Sequence, residues 1–168
     1  MTSVDPTSPG PYAHIACCLE DSAGSRLALA EARRLRALGP GRLSVVHVAT
    51  DPLLFLDHEE DGTSVDPRDL QAASARWLER EMAEIPEGEP ALLHGAPAAA
   101  VCAWAREARP DLIVAGAHRS RTERALLGSF AAHLAHHAPC PVLLVRPPEY
   151  EAAGASGPAE IRHERSTS

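Results

Sequence analysis

Leu43-Ser44-Val45-Val46-His47-Val48-Ala49 (LSVVHVA) is β-branched and apolar on both faces, as a central strand buried in a parallel sheet is. Moving outward from it, the hydrophobic period alternates. Upstream, Ala28, Ala32 and Leu35 fall at i, i+4 and i+7, with Leu38 continuing the stripe. That spacing predicts an amphipathic helix, stopped by Gly39-Pro40-Gly41. His14–Leu19 (HIACCL), ahead of the helix, reads as a first strand. Downstream, the acidic stretch Asp57–Gly62 reads as a solvated loop, and Asp66-Pro67 supplies an N-cap and an N1 proline for a second helix. Leu70, Ala73 and Trp77 form one stripe of that helix, with Leu78, Met82 and Ile85 beside them, and Pro86-Glu87-Gly88 ends it. Ala91–His94 then reads as a third strand and Pro97–Ala108 as a third helix closed by Arg109-Pro110. Asp111–Gly116 (DLIVAG) is a fourth strand, a fourth helix runs from about Leu127 to His137, and Val142–Arg146 is a fifth strand.

Five strands interleaved with four helices predict an α/β fold. Right-handed crossovers make it a doubly wound, Rossmann-like three-layer sandwich around a parallel sheet. One such domain is expected over residues 12–148, between Pro/Ser/Gly/Thr-rich tails at 1–11 and 149–168 that read as disordered. Only six of the 168 residues are aromatic and much of the apolar share is alanine, so the core has to be built from small aliphatics packed closely.

Two absences bound the chemistry. All 16 basic side chains are arginine, and there is neither lysine nor asparagine. Schiff-base chemistry and the P-loop lysine are therefore excluded, and so are N-glycosylation acceptors. The net charge of −7 argues against binding nucleic acid or an anionic membrane. The longest apolar stretch, Ala96–Ala105, is too short to span a bilayer, and the first residues lack the pattern of a signal peptide. Cys17, Cys18 and Cys102 sit in apolar runs as small buried hydrophobes do, and with Cys140 they form no CxxC pair, so a reduced, cytoplasmic protein is expected.

Ligands of doubly wound sheets bind beyond the carboxyl ends of the strands, where the strand order reverses. The segments to inspect are therefore Glu20–Ser25, Thr50 onward, Gly95–Pro97 and Gly116–Ser129. Glu20-Asp21-Ser22-Ala23-Gly24-Ser25 is not GxGxxG, so the dinucleotide fingerprint is absent. A phosphoacceptor receiver domain would need a lysine near the fifth strand, and a ligase-like ATP site would need an S-G-G-x-D-S loop; neither is present. The segment after the fourth strand reads as an anion site. Gly128-Ser129 opens a helix whose first N–H groups favour negative charge, and Arg119, Arg121 and Arg124 add positive charge to one short loop. Plain capping of the helix is the competing reading of Gly128-Ser129.

These blocks together resemble the universal stress proteins. Glu20–Leu29 (EDSAGSRLAL) resembles the family's D-G-S-x-x-S-x-x-A-L, and Leu43–Val48 its L-x-x-x-H-V second strand. Gly95-Ala96-Pro97 resembles its G-x-P, Asp111–Gly116 its D-L-I-V-M-G, Gly128-Ser129 its closing G-[ST], and Pro139–Val145 its C-P-V-L-V-V ending. The resemblance spans about residues 13–146 and implies the strand order 3-2-1-4-5. It also implies homodimers formed through Val142–Val145 and a role in stress response, with an unidentified protein partner.

Some members of the family bind ATP through G-x2-G-x9-G-[ST], and here the match is imperfect. Gly116 takes the first glycine position, but Arg119 stands at the second, and eight residues rather than nine separate it from Gly128. Glu20 replaces the family's nucleoside-contacting Asp. Two readings stay open. In one, the cleft holds ATP or AMP, with Mg if ATP: Glu20 contacts the nucleoside, Gly116, Gly128 and Ser129 cradle phosphate, Arg119 offsets charge, and Val48, Ala115 and Phe130 complete the binding set. In the other, Arg119 closes the phosphate site and the domain is a protein-interaction module without nucleotide. No residue is assigned a catalytic role. Ser25 and Ser129 lack a base and its orienting partner, so slow ATP hydrolysis is the most that is expected. His133, His136 and His137 lie at i, i+3 and i+4, but with no acidic residue near they read as solvated or interface histidines rather than a metal site.

Overall fold

The computed structural model describes residues 11–50, 66–117 and 128–146. The terminal tails, the stretch Asp57–Gly62, and Arg119 with Arg121 and Arg124 lie outside the described residues. The elements run β1 (His14–Cys18), α1 (Ala23–Arg36), β2 (Arg42–Ala49), α2 (Pro67–Ala83), β3 (Gly88–His94), α3 (Pro97–Ala108), β4 (Leu112–Gly116), α4 (Ser129–His137) and β5 (Val142–Val145). All described strand pairs are parallel, and the sheet order is β3-β2-β1-β4-β5.

Alternation along each strand feeds two core layers. Ile15, Cys17, Leu43, Val45, Leu112 and Val114 face α1 and α2, meeting Ala28, Leu29, Ala32, Leu78 and Ile85. Ala16, Cys18, Val46, Ile113 and Ala115 face α3 and α4, meeting Val101, Cys102, Ala105 and Leu134. The alanines at the contacts, Ala28, Ala32 and Ala105, have no exposed surface, so the helices lie close on the sheet, as an alanine-rich core requires.

Three local expectations are corrected. Leu38 does not extend the buried stripe of α1. The helix is capped at Ala37, and Leu38 turns outward, 49% exposed. In α2, Ala73 is exposed and the inward line passes through Trp77, Leu78 and Met82, because the carboxyl-terminal half of the helix makes the sheet contact. The third strand is longer than Ala91–His94: β3 begins at Gly88, and Pro90 pairs in register with Val45. Proline lacks a ladder donor, yet it is tolerated here because β3 is an edge strand.

Candidate functional site

β1 is the point where the order reverses, since β2 lies on one side of it and β4 on the other. At its carboxyl end the chain leaves Cys18 and forms a tight loop into α1. Ser22 is the N-cap of α1, its Oγ accepting from the Ser25 N–H at 3.1 Å and donating to Glu20 Oε1 at 3.0 Å. The buried Ser25 hydroxyl donates to the carbonyls of Glu20 and Ser22, and the Glu20 N–H donates to Ser25 Oγ at 3.2 Å. Ser25 thus holds this loop through three hydrogen bonds.

The loop forms one wall of a cleft of about 290 Å3. Cys18, Val46 and Val48 from β1 and β2 line it, with Pro97 and Val101 from α3 and Gly128, Phe130 and Ala131 from the start of α4. Glu20, Ser25, His47, Thr50 and Gly116 also line it. Five of the eight residues singled out in the sequence therefore share one cleft: Glu20, Val48, Gly116, Gly128 and Phe130. Ala115 lies one position away in the core beneath α3 and α4, fully buried. Ser129 is exposed at the first turn of α4, and Arg119 lies outside the described residues.

The two glycines at the cleft serve different ends. A Cβ on Gly116 would come within 2.6–2.8 Å of the backbone of Gly24 and Ser25, so this position is kept bare by the close approach of α1 to β4. Gly128 has φ −53°, a value open to any residue; it contributes smallness rather than conformational freedom. Neither Gly128 nor Ala96 has a side chain that could cap the helix it precedes. The N–H groups opening α3 and α4 are therefore left to other acceptors, and residues at both helix starts line the cleft.

Thr50 and Pro97 lie in segments the sequence marked for inspection, whereas Cys18, Val46, Val101, Ala131 and His47 were not singled out for the site. For Cys18, Val46 and Val101 the sequence signal was only that of core residues. His47 stood within the H-V motif; its Nδ1 donates to the Leu19 carbonyl at 2.9 Å and its ring packs on Trp77 at 4.5 Å. Burial pushes the Cys17 thiol up to about 12 and Cys18 higher still, so neither is a reactive thiolate near neutral pH. The His133 and His137 rings lie 4.4 Å apart and tilted by 45°, and among the described residues no group of three His, Cys, Asp or Glu side chains is placed to hold a metal ion.

A parallel doubly wound sheet with a small cleft at its switch point, walled by a strand-one loop and by two helix starts, defines the class of doubly wound α/β domains. Within that class, the sequence profile of the Universal stress protein family matches residues 11–146, and the chain belongs to that family. Its fold is shared by the universal stress protein UspA from Lactobacillus plantarum, with TM-score 0.66, 21% identity, and coverage of 80% of this chain and 98% of that one. A universal stress protein family member from Burkholderia pseudomallei is 28% identical over 82% of this chain and 98% of its own, with TM-score 0.59. A family protein from Arabidopsis thaliana, solved with AMP bound, is 18% identical over 82% and 94%, with TM-score 0.54. No curated protein matches the sequence significantly.

Proposed function

We propose that this universal stress protein holds an adenine nucleotide in the cleft and acts as a sensor or regulator rather than as a catalyst. The observation that carries the reading is the cleft itself. Glu20, a carboxylate able to accept from ribose hydroxyls, lines the same cleft as the start of α4, whose N–H groups suit a phosphate. At about 290 Å3 it sits near the lower end of ligand pockets, roughly 300–1,000 Å3, which suits a monophosphate such as AMP better than ATP with Mg. The relative solved with AMP supports the same ligand class. Ser129 and Arg119 are assigned to the phosphate, and Val48 and Phe130 to the base. Ala115 is buried in the core layer and does not line the cleft.

Calorimetric titration with AMP, ADP and ATP tests this. Saturable binding is expected, weakened at least tenfold by Gly128→Val, a substitution the backbone accepts but which fills the helix start. No binding by wild-type protein overturns the reading in favour of the module whose phosphate site Arg119 closes.

The oligomeric proposal is a homodimer through β5. This strand ends the sheet order, and Val142, Leu143, Leu144 and Val145 all stay half-buried. An apolar strand edge of this kind is a ready pairing surface. Light scattering at micromolar concentration should report a dimer; a monomer overturns this proposal. No helix among the described residues is long and apolar enough to cross a membrane. The four free cysteines support a reducing, cytoplasmic setting, in which the protein partner is to be sought.

A further inference from the structure

At the opposite end of the sheet from the cleft, His14 is buried with both ring nitrogens engaged. Arg42 Nη2 lies 3.0 Å from Nδ1, and Ser44 Oγ lies 2.8 Å from Nε2. A guanidinium only donates, so Nδ1 is the acceptor and the ring is neutral, its one proton on Nε2 donated to Ser44. The same Nη2 also donates to the Ala108 carbonyl at 3.3 Å, at the last residue of α3. Trp104, one turn earlier in α3, meets the His14 ring edge-on at 6.1 Å. The charged groups facing His14 are Arg42 from β2, Glu89 from β3 and Asp111 at the foot of β4. Glu89 already stands 3.8 Å from Arg42 Nη1, at the solvent side of the cluster.

We propose that His14, Arg42 and the Ala108 carbonyl form a proton-operated latch on the carboxyl end of α3. A proton taken from solvent onto Nδ1 sets two donors against each other, and the Arg42 hydrogen bond to the ring is lost. The imidazolium then competes for the Ala108 carbonyl, Arg42 moves toward Glu89, and the tie between β2 and α3 is broken. No covalent bond changes. Burial, and then the Arg42 charge, hold the His14 pKa below its ordinary 6.5, against the Ala108 carbonyl, Asp111 and Glu89, which favour the proton. The latch is therefore closed at neutral pH and opens on acidification, independently of what the cleft holds.

The test is histidine-resolved NMR on the full-length protein between pH 8 and 4.5, with hydrogen exchange read at Ala105–Ala108. At neutral pH, the His14 nitrogen shifts should report the Nε2–H tautomer. Below pH 6.5, protection at Ala105–Ala108 should fall by up to about tenfold per pH unit, and the Trp104 indole signal should move with the His14 midpoint. Arg42→Met, which removes the donor and the charge, should raise the His14 midpoint. His14→Asn, which keeps an acceptor but cannot take the proton, should remove the acid-dependent loss of protection. An Nδ1–H tautomer, a His14 midpoint at or above 6.5, an Arg42→Met variant with unchanged midpoint, or acid opening that persists in His14→Asn would each overturn the latch. If His14→Asn does not fold, the tautomer and the Arg42→Met midpoint decide alone.

Discussion

The two ends of the sheet handle polar groups in opposite ways. At the amino-terminal end the groups meet one another. Asp111 Oδ2 accepts from the N–H groups of Ala13 and His14 at 2.9 and 2.8 Å, while His14 is held between Arg42 and Ser44. At the carboxyl-terminal end, Ser22 and Ser25 close the loop after β1, but the helix starts beside them carry no cap of their own. One end is stapled by side chains; at the other, among the described residues, no N-cap side chain caps α3 or α4. Mutually satisfied polar groups contribute to stability, whereas donors without a side-chain cap are open to the nucleotide proposed for the cleft.

The sharpest way to break this contrast is to damage the open end by packing alone. Gly116→Ala forces a methyl into the backbone of Gly24 and Ser25. Overpacking of that kind should cost about 3 kcal/mol in urea unfolding and should also disturb the loop that walls the cleft. At the stapled end, Asp111→Ala leaves two backbone donors without their charged acceptor. A loss of about 2 kcal/mol is expected from the same measurement, with ligand binding at the cleft unchanged.

A third measurement follows stability against pH. The His14 pKa is lowered in the folded protein, so as pH falls below 6.5 the unfolded chain takes the proton first. The contribution of His14 is therefore complete above 6.5. It declines by at most about 1.4 kcal/mol per pH unit below that value, and levels off once the folded protein is protonated too. His14→Asn should flatten this part of the profile; an unchanged slope would assign it to carboxylates. The smallest effect is expected at Arg109, which closes α3 with φ 50° and ψ 58°. Arg109→Gly relieves the left-handed strain and should stabilise the protein by roughly 0.5–1 kcal/mol, seen as a higher thermal midpoint.

Much of the cleft was legible before any coordinates because strand ends can be read from periodicity, and in a doubly wound sheet the strand ends are the site. Glu20 and Gly116, at the ends of the first and fourth strands, line the cleft, as does Gly128 at the start of α4. The reason for Gly116 was not legible. Close approach to a ligand and close approach to α1 demand the same residue, and only the position of Gly24 shows the second. Asp111 read merely as the first residue of an apolar strand, since the N–H groups it binds lie 97 and 98 positions away. Pro90 hid the start of β3, because its tolerance depends on which strand lies at the edge.

The sequence by itself determined the alternation of strands and helices, the burial of small residues on both faces of the sheet, and the family to which the chain belongs. These depend on periodicities of two and 3.6 residues and on short local motifs, which are properties of neighbours along the chain. Tertiary structure alone decided that Ser25 is locked into its loop, that Gly116 stays bare for Gly24, and that His14 is buried between Arg42 and Ser44. Each of those depends on which groups parallel pairing and helix docking bring together. A hydrogen-bond partner supplied by a distant strand leaves no periodic trace in the residues that receive it.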